Sequence, residues 1–365
     1  MLRISAAQAL AFRLHRQHLT APAPSITAAA RRLVGAQAQV QSAGLLQLAL
    51  RTGVTTDAIA AAVDSRALVR LWAQRSTLHI VAAEDIGEVV ALRHQRLPTL
   101  YESWAREGVP REQLDQIIQA VAVHLEDAGP QTRQEIAAGV ARTLGDWVVP
   151  HLTQSWGGAL KAAAAHGLLC HGPDRPRETA FAHLPSWAAY DRLDPRAGFA
   201  RLAQRYLRAF GPSSVRDFKR FVELPVATVQ AAWADLQTVP VMIADHGEAE
   251  VLAEDADALA ETEPDDSIIA LPLFDPWLLA HRVSDLYLAP QHRKHIYRQA
   301  GWISATILQG GRVIATWRHD DGAHGRTLTL TPFARTPRVL RRRIETALVR
   351  LHDLDNAPLQ DIVWP

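Results

Sequence analysis

Apolar residues recur three and four positions apart through most of the chain ahead of Val239, the spacing that lines one face of a helix. The first such stretch, residues 5–18, is cut off by Pro22 and Pro24, and Ser25 can cap a second over residues 26–35. A third covers residues 43–51, and Thr55 or Thr56 caps a short one ending near Val63. The pattern then turns β-like over residues 68–72 and 77–81, joined by Ala73-Gln74-Arg75-Ser76. The same succession returns twice. Helices are predicted over residues 111–126, from a Thr132 cap to Thr143, and over 153–166. Strands at 168–171 and 179–183 follow, around the loop of residues 172–177. A last set comprises helices at 196–210, 213–221 and 226–236. Its strands at 239–244 and 249–252 close on the turn Asp245-His246-Gly247-Glu248.

Short helices followed by a two-stranded ribbon is the order of a winged helix, and three copies are more specific than one. Residues 254–266 are acidic and read as a solvated connector. Beyond Ile268 alternating β-prone runs appear at 302–308 and 312–317. Gly310-Gly311 between them is a hairpin signal, and a further strand at 327–330 precedes an Arg-rich helix at 337–351. The predicted class is α+β. Three tandem winged-helix units occupy residues 1–105, 106–194 and 195–266, and a β-rich section occupies residues 267–365.

Composition narrows the setting. Hydrophobic residues are 48% and charged residues 21% of 365, as in a globular chain with sizeable cores. No apolar run is long enough to span a bilayer, and the first residues lack a secretory pattern, so a cytoplasmic location without membrane attachment is expected. The single cysteine, Cys170, excludes an internal disulfide and a Cys-based zinc site. A net charge of +1 announces no nucleic-acid partner, yet almost all the positive charge is Arg; Lys occurs only at Lys161, Lys219 and Lys294. A GC-rich genome accounts for that bias, and Arg is at the same time suited to phosphate forks and base stacking.

Gln37-Ala38-Gln39 is the most informative tripeptide. A carboxamide has no useful pKa, but it can orient water and exchange hydrogen bonds at fixed geometry. Residues two apart point about 200° apart on an α-helix, so a shared cavity requires a helix end or extended backbone. Downstream, the ribbon Leu71-Trp72-Ala73-Gln74-Arg75-Ser76-Thr77-Leu78-His79 resembles the Trp-x-x-Arg-Gly/Ser-Thr-Leu-His ribbon of the AlkZ/YcaQ-type winged-helix DNA glycosylases. That family carries a Gln-apolar-Gln triplet upstream of the ribbon. Leu273-Phe274-Asp275-Pro276-Trp277-Leu278-Leu279 and Tyr297-Arg298-Gln299-Ala300-Gly301-Trp302 also look like its motifs. Ser76 stands where many members have Gly. The likeness is greatest to the AlkZ branch, associated with self-resistance to azinomycin-type bis-alkylating agents. The resemblance implies tandem winged helices in an open C-shaped arrangement and excision of N7-alkylated purines from double-stranded DNA, crosslinks included.

The chemistry suits two amides. Alkylation at guanine N7 makes the base a cationic leaving group that needs no protonation. Holding a water near C1′ and stabilising the cationic sugar remain, and positioned dipoles can do both. Gln37 and Gln39 are the catalytic candidates, with no metal or organic cofactor. Arg75, Thr77 and His79 alternate along the ribbon and could touch the DNA backbone. Arg318, His319, His324 and Arg326 in the polar tip of the last hairpin could probe a groove, or form a solvated turn. Arg341, Arg342 and Arg343 could meet phosphates, or lie on a solvated helix face. Trp72 reads as core rather than as a base-stacking residue, and Asp275 as a turn former rather than a stabiliser of the sugar cation. A monomer is expected, since no coiled-coil heptads appear. The alternative function is a non-catalytic winged-helix DNA-binding regulator.

Overall fold

The computed structural model describes every residue except 155–156, 174, 176–177 and 282–284. Part of the predicted loop at 172–177 and part of the predicted helix at 153–166 therefore lie outside the described residues. The fold is mixed α+β, in two compact units: Met1–Ala62 with Ala203–Pro365, and Val63–Leu202.

The first unit opens on a strand the hydrophobic pattern does not reveal. Leu2–Ile4 pairs in parallel with Thr238–Ile243, which pairs antiparallel with Gly247–Leu252. Ser5 then caps the helix Ala6–Arg16, and the Ser25 hydroxyl accepts from the Ala28 amide to start Ile26–Arg32. That second helix ends earlier than its apolar spacing predicts. The Gly35 amide donates to the Ala30 carbonyl at 3.0 Å and the Val34 amide to the Arg31 carbonyl at 3.2 Å, a paired closure typical of helix ends. Val34 and Gly35 both take left-handed backbone, φ 56° and 93°. After this reversal come the short strand Ala36–Gln37 and the helix Gln41–Thr52.

The C-terminal part is a five-stranded sheet in the order Ile268–Leu271, Ala305–Gln309, Arg312–Gly322, Gly325–Pro332, Leu359–Val363. The hairpin arms are longer than predicted: Asp321 faces Arg326 and Gly322 faces Gly325, leaving Ala323-His324 as the turn. The acidic connector is partly helical, over Ala256–Ala260. The Arg-rich helix runs Arg338–Asp353. The core gathers Leu10 and Leu14 of the first helix, Val241 and Val251 of the small sheet, and Trp277, Tyr287 and Leu308.

The second unit holds the ribbon Leu68–Trp72 and Leu78–Ala82, in register with Leu71 opposite His79. The helices Ile86–His94 and Leu97–Arg106 come next. The helix Arg111–Ala128 packs on Arg133–Leu144, whose Thr132 and Glu135 form a reciprocal capping box. Gly158–Ala165 follows, and Gln131–Thr132 joins Ala180–His183 and Leu169–His171 in a small sheet. Trp72 belongs to this core, stacked on Phe181 at 5.8 Å and edge-on to His171 at 5.0 Å.

Candidate active site

The segment carrying Gln37 and Gln39 is not helical. Gln37 sits in extended backbone, and Gln39 lies in the bend ahead of the helix Gln41–Thr52. Gln37 is buried and Gln39 is exposed. Ala38 between them is closed off against Gly44 of that helix: a methyl built on Gly44 would lie 2.8 Å from the Ala38 Cβ. A small residue between the two amides and a glycine on the helix are therefore one packing requirement.

A buried polar chain fixes the segment from below. Gln47 Nε2 donates to the Gln37 carbonyl at 3.1 Å and to the Leu273 carbonyl at 3.0 Å. The Gln47 carbonyl in turn accepts from Arg51 Nη1, and Arg51 forms a two-pronged pair with Asp275, both contacts at 2.9 Å. Arg51 and Asp275 are wholly buried. The Asp275 carboxylate also accepts from the Trp277 amide, starting the short helix Pro276–Leu279. Asp275 thus acts as a turn former and as the counter-ion of Arg51. Fork-to-fork charge pairing gives this network directional strength. The helix Gln41–Thr52 starts at Val40, whose side chain has no oxygen to cap it.

The other candidates are distributed unevenly. Arg75 is not in a strand but in the turn Gln74–Ser76, where Arg75 and Ser76 adopt φ 53° and 55°. The expected alternation of Arg75, Thr77 and His79 on one strand face is therefore corrected: only His79 lies within the strand Leu78–Ala82. His79 is buried, its Nδ1 3.0 Å from the Thr77 carbonyl, and burial with Arg75 nearby lowers its pKa to about 3. It is a neutral core residue with no edge open to a phosphate. Thr77 is half-buried and donates to the Gln74 carbonyl. Ser76 holds left-handed backbone, a conformation that favours Gly, and its hydroxyl accepts from Arg93 Nη1 at 2.6 Å.

At the hairpin, Arg318, His319 and His324 are exposed, with Arg318 paired to Asp320. Arg326 is half-buried and held by Asp321 and Asp355, so it braces the hairpin. Of the helix cations, Arg342 is exposed, Arg343 pairs with Asp266, and Arg341 lies over the Trp364 ring at 4.8 Å. Among the described residues no group of three or more His, Cys, Asp or Glu side chains could hold a metal ion. Among the same residues no helix is long and apolar enough to cross a membrane.

Sequence reasoning missed Gly44, Gln47 and Arg51. Their signal was faint: a glycine, an amide and an arginine inside a helix, each at odds with an otherwise apolar face.

The sequence and the mixed α+β fold of the whole chain match one class of DNA repair enzyme, the DNA glycosylases. The sequence model described as DNA glycosylase AlkZ-like matches residues 30–354, and the chain belongs to that family. It is 32% identical over 362 residues to the interstrand DNA cross-link repair glycosylase of Streptomyces sahachiroi, covering 94% of this chain and 95% of that protein. The structure is similar to that of the Streptomyces sahachiroi DNA glycosylase AlkZ. Their TM-score is 0.85 at 28% identity, over 99% of this chain and 100% of that one.

Proposed function

We propose that this glycosylase hydrolyses the N-glycosidic bond of N7-alkylguanine in double-stranded DNA, and unhooks interstrand crosslinks formed through such adducts. The cross-link repair relative supports the substrate class. The observation that carries the reaction is the Gln37-Ala38-Gln39 segment, locked by Gln47, Gly44 and the Arg51–Asp275 pair. In this reading Gln37 and Gln39 hold the attacking water and the sugar-phosphate beside the lesion. The N-terminal end of the Gln41 helix adds the positive pole of its dipole for the neighbouring phosphate. The adduct's charge supplies the leaving-group activation, so no group need titrate.

The fold in this reading is three tandem winged helices. Two features support it besides the helix-then-hairpin order. Gln131–Thr132, between two helices, adds a third strand to its hairpin sheet, and Ser213 makes the equivalent bridge to Glu250. The exposed Arg318, His319, His324 and Arg342 are the DNA contacts retained from the sequence.

The test is single-turnover release of N7-methylguanine from a duplex, without added metal. Gln37→Ala and Gln39→Ala should each slow release on the order of 10²-fold, as loss of an oxyanion-type donor does, with DNA affinity kept. Weakened binding with undiminished release would overturn the assignment.

A further inference from the structure

Trp302 is 46% exposed, an unusual position for the largest apolar side chain, and its surroundings are built rather than loose. Residues 297–303 form a tight turn. The Arg298 amide donates to the Trp302 carbonyl at 2.9 Å, Tyr297 bridges Ile303, and Ala300 and Gly301 supply left-handed backbone at φ 53° and 76°. The Trp302 ring packs on Phe274 with centroids 5.3 Å apart. Phe274 follows Leu273, whose carbonyl shares the Gln47 amide with Gln37. The turn is therefore tied to the glutamine segment by ring packing of Trp302 on Phe274 and by the Gln47 amide that bridges the Leu273 and Gln37 carbonyls.

Beside the turn runs a groove of about 370 Å³ bordered by Lys294, Arg298 and Arg318, with the hydroxyls of Ser304, Thr316 and Thr329. A second concavity joins Lys294 and Arg298 to Trp302. Lys294 and Arg298 are exposed and, among the described residues, have no carboxylate partner; Arg318 has Asp320. Among the described residues no acidic side chain lines either concavity. Cations and hydroxyls track a phosphate backbone, and an aromatic ring at their end offers a platform for a base.

We propose that this turn and groove grip one DNA strand at the lesion: Trp302 stacks on a base face opened there, while Lys294, Arg298 and Arg318 take that strand's phosphates. The proposal rests on the reading of DNA as substrate. It assigns a strand-binding role to residues outside the catalytic pair.

The test uses the full chain and binding alone. Fluorescence anisotropy measures affinity for a short duplex with a central tetrahydrofuran abasic analogue, and for the intact duplex, over a range of salt. Trp302→Ala should weaken the abasic-analogue complex on the order of 10- to 100-fold, with Trp302→Phe restoring most of it. Affinity for the intact duplex should change far less. Arg298→Ala should lower the slope of log affinity against log salt by about 0.9, one phosphate contact. Unchanged binding by Trp302→Ala would overturn the proposal. So would equal weakening on both duplexes with a lowered melting temperature, which marks packing alone, and so would a wild-type chain that binds neither duplex. Base release is not read, so a failure to excise N7-methylguanine would overturn the proposed reaction and leave this result standing.

Discussion

Gly44 shows how a residue without a side chain can control one with chemistry. The added methyl of Gly44→Ala would meet the Ala38 Cβ at 2.8 Å and its Cα at 3.1 Å, and neither can swing aside. Either the helix or the glutamine segment must shift. A better helix former would otherwise stabilise by about 1 kcal/mol, so a net loss of about 1–2 kcal/mol reports the clash. Base release should fall at least 10-fold, and thermal unfolding alongside single-turnover kinetics checks both. The Arg51–Asp275 pair invites a different experiment. Asp275→Asn leaves Arg51 buried without its counter-charge and should cost about 3–5 kcal/mol in urea unfolding. The double replacement Arg51→Met with Asp275→Leu should recover much of that loss, because neither buried charge remains. Part of this was legible. Asp275 reads as a turn former from Phe-Asp-Pro-Trp, and in the structure that turn opens the short helix Pro276–Leu279. Its partner lies 224 residues away and left no mark in any local pattern.

Elements with their own start signals were read most accurately. Ser25 and Thr132 each accept a backbone amide at the helix start, and the ribbon strand Leu68–Trp72 has the predicted limits. Elements defined by distant partners were not. Leu2–Ile4 is too short to show alternation and exists as a strand through its pairing with residues far along the chain. Leu359–Val363 is likewise fixed by pairing with the hairpin arm. The hairpin and the Arg-rich helix show the limit of reading cations from sequence, since ion pairs decide which are available. Arg342 is exposed, whereas Arg326 and Arg343 are engaged by carboxylates. Arg342→Gln should therefore lower the salt slope of DNA binding by about 0.9, and Arg326→Gln should change it less. Arg326→Gln should instead speed amide hydrogen exchange in the strands Arg312–Gly322 and Gly325–Pro332. Equal salt slopes for the two variants would refute this division of labour.

At the scale of the whole molecule, sequence order and spatial grouping diverge. The first 62 residues fold with those beyond Leu202, a grouping set by non-local pairing that no linear pattern exposes. The chain's response to pH follows from its interior rather than from its catalytic pair. An imidazole in an unfolded chain titrates near 6.5. Burial, with Arg75 nearby, brings His79 to about 3, and burial with Arg70 and Arg133 moves His171 well down in the same direction. Arg70 Nη2 lies 3.3 Å from His171 Nδ1, a contact that suits a neutral ring accepting at that nitrogen. Below about pH 6.5 the unfolded chain binds protons that the folded Val63–Leu202 unit refuses, so stability falls as pH falls. Above that pH neither state is protonated at these positions, and their contribution is constant. Each ring gives a limiting slope of about 1.4 kcal/mol per pH unit, and the two together remove on the order of 2–3 kcal/mol between pH 6 and 5. His79→Gln should flatten urea-derived stability by about half of that over this interval, and an unchanged slope would exclude His79 as a source. Carboxamides do not titrate, so base release should stay level from pH 6.5 to about 9, and its acid-side decline should follow loss of folded protein. A bell-shaped profile with stability intact across the range would instead require an acid or base at the reacting bond.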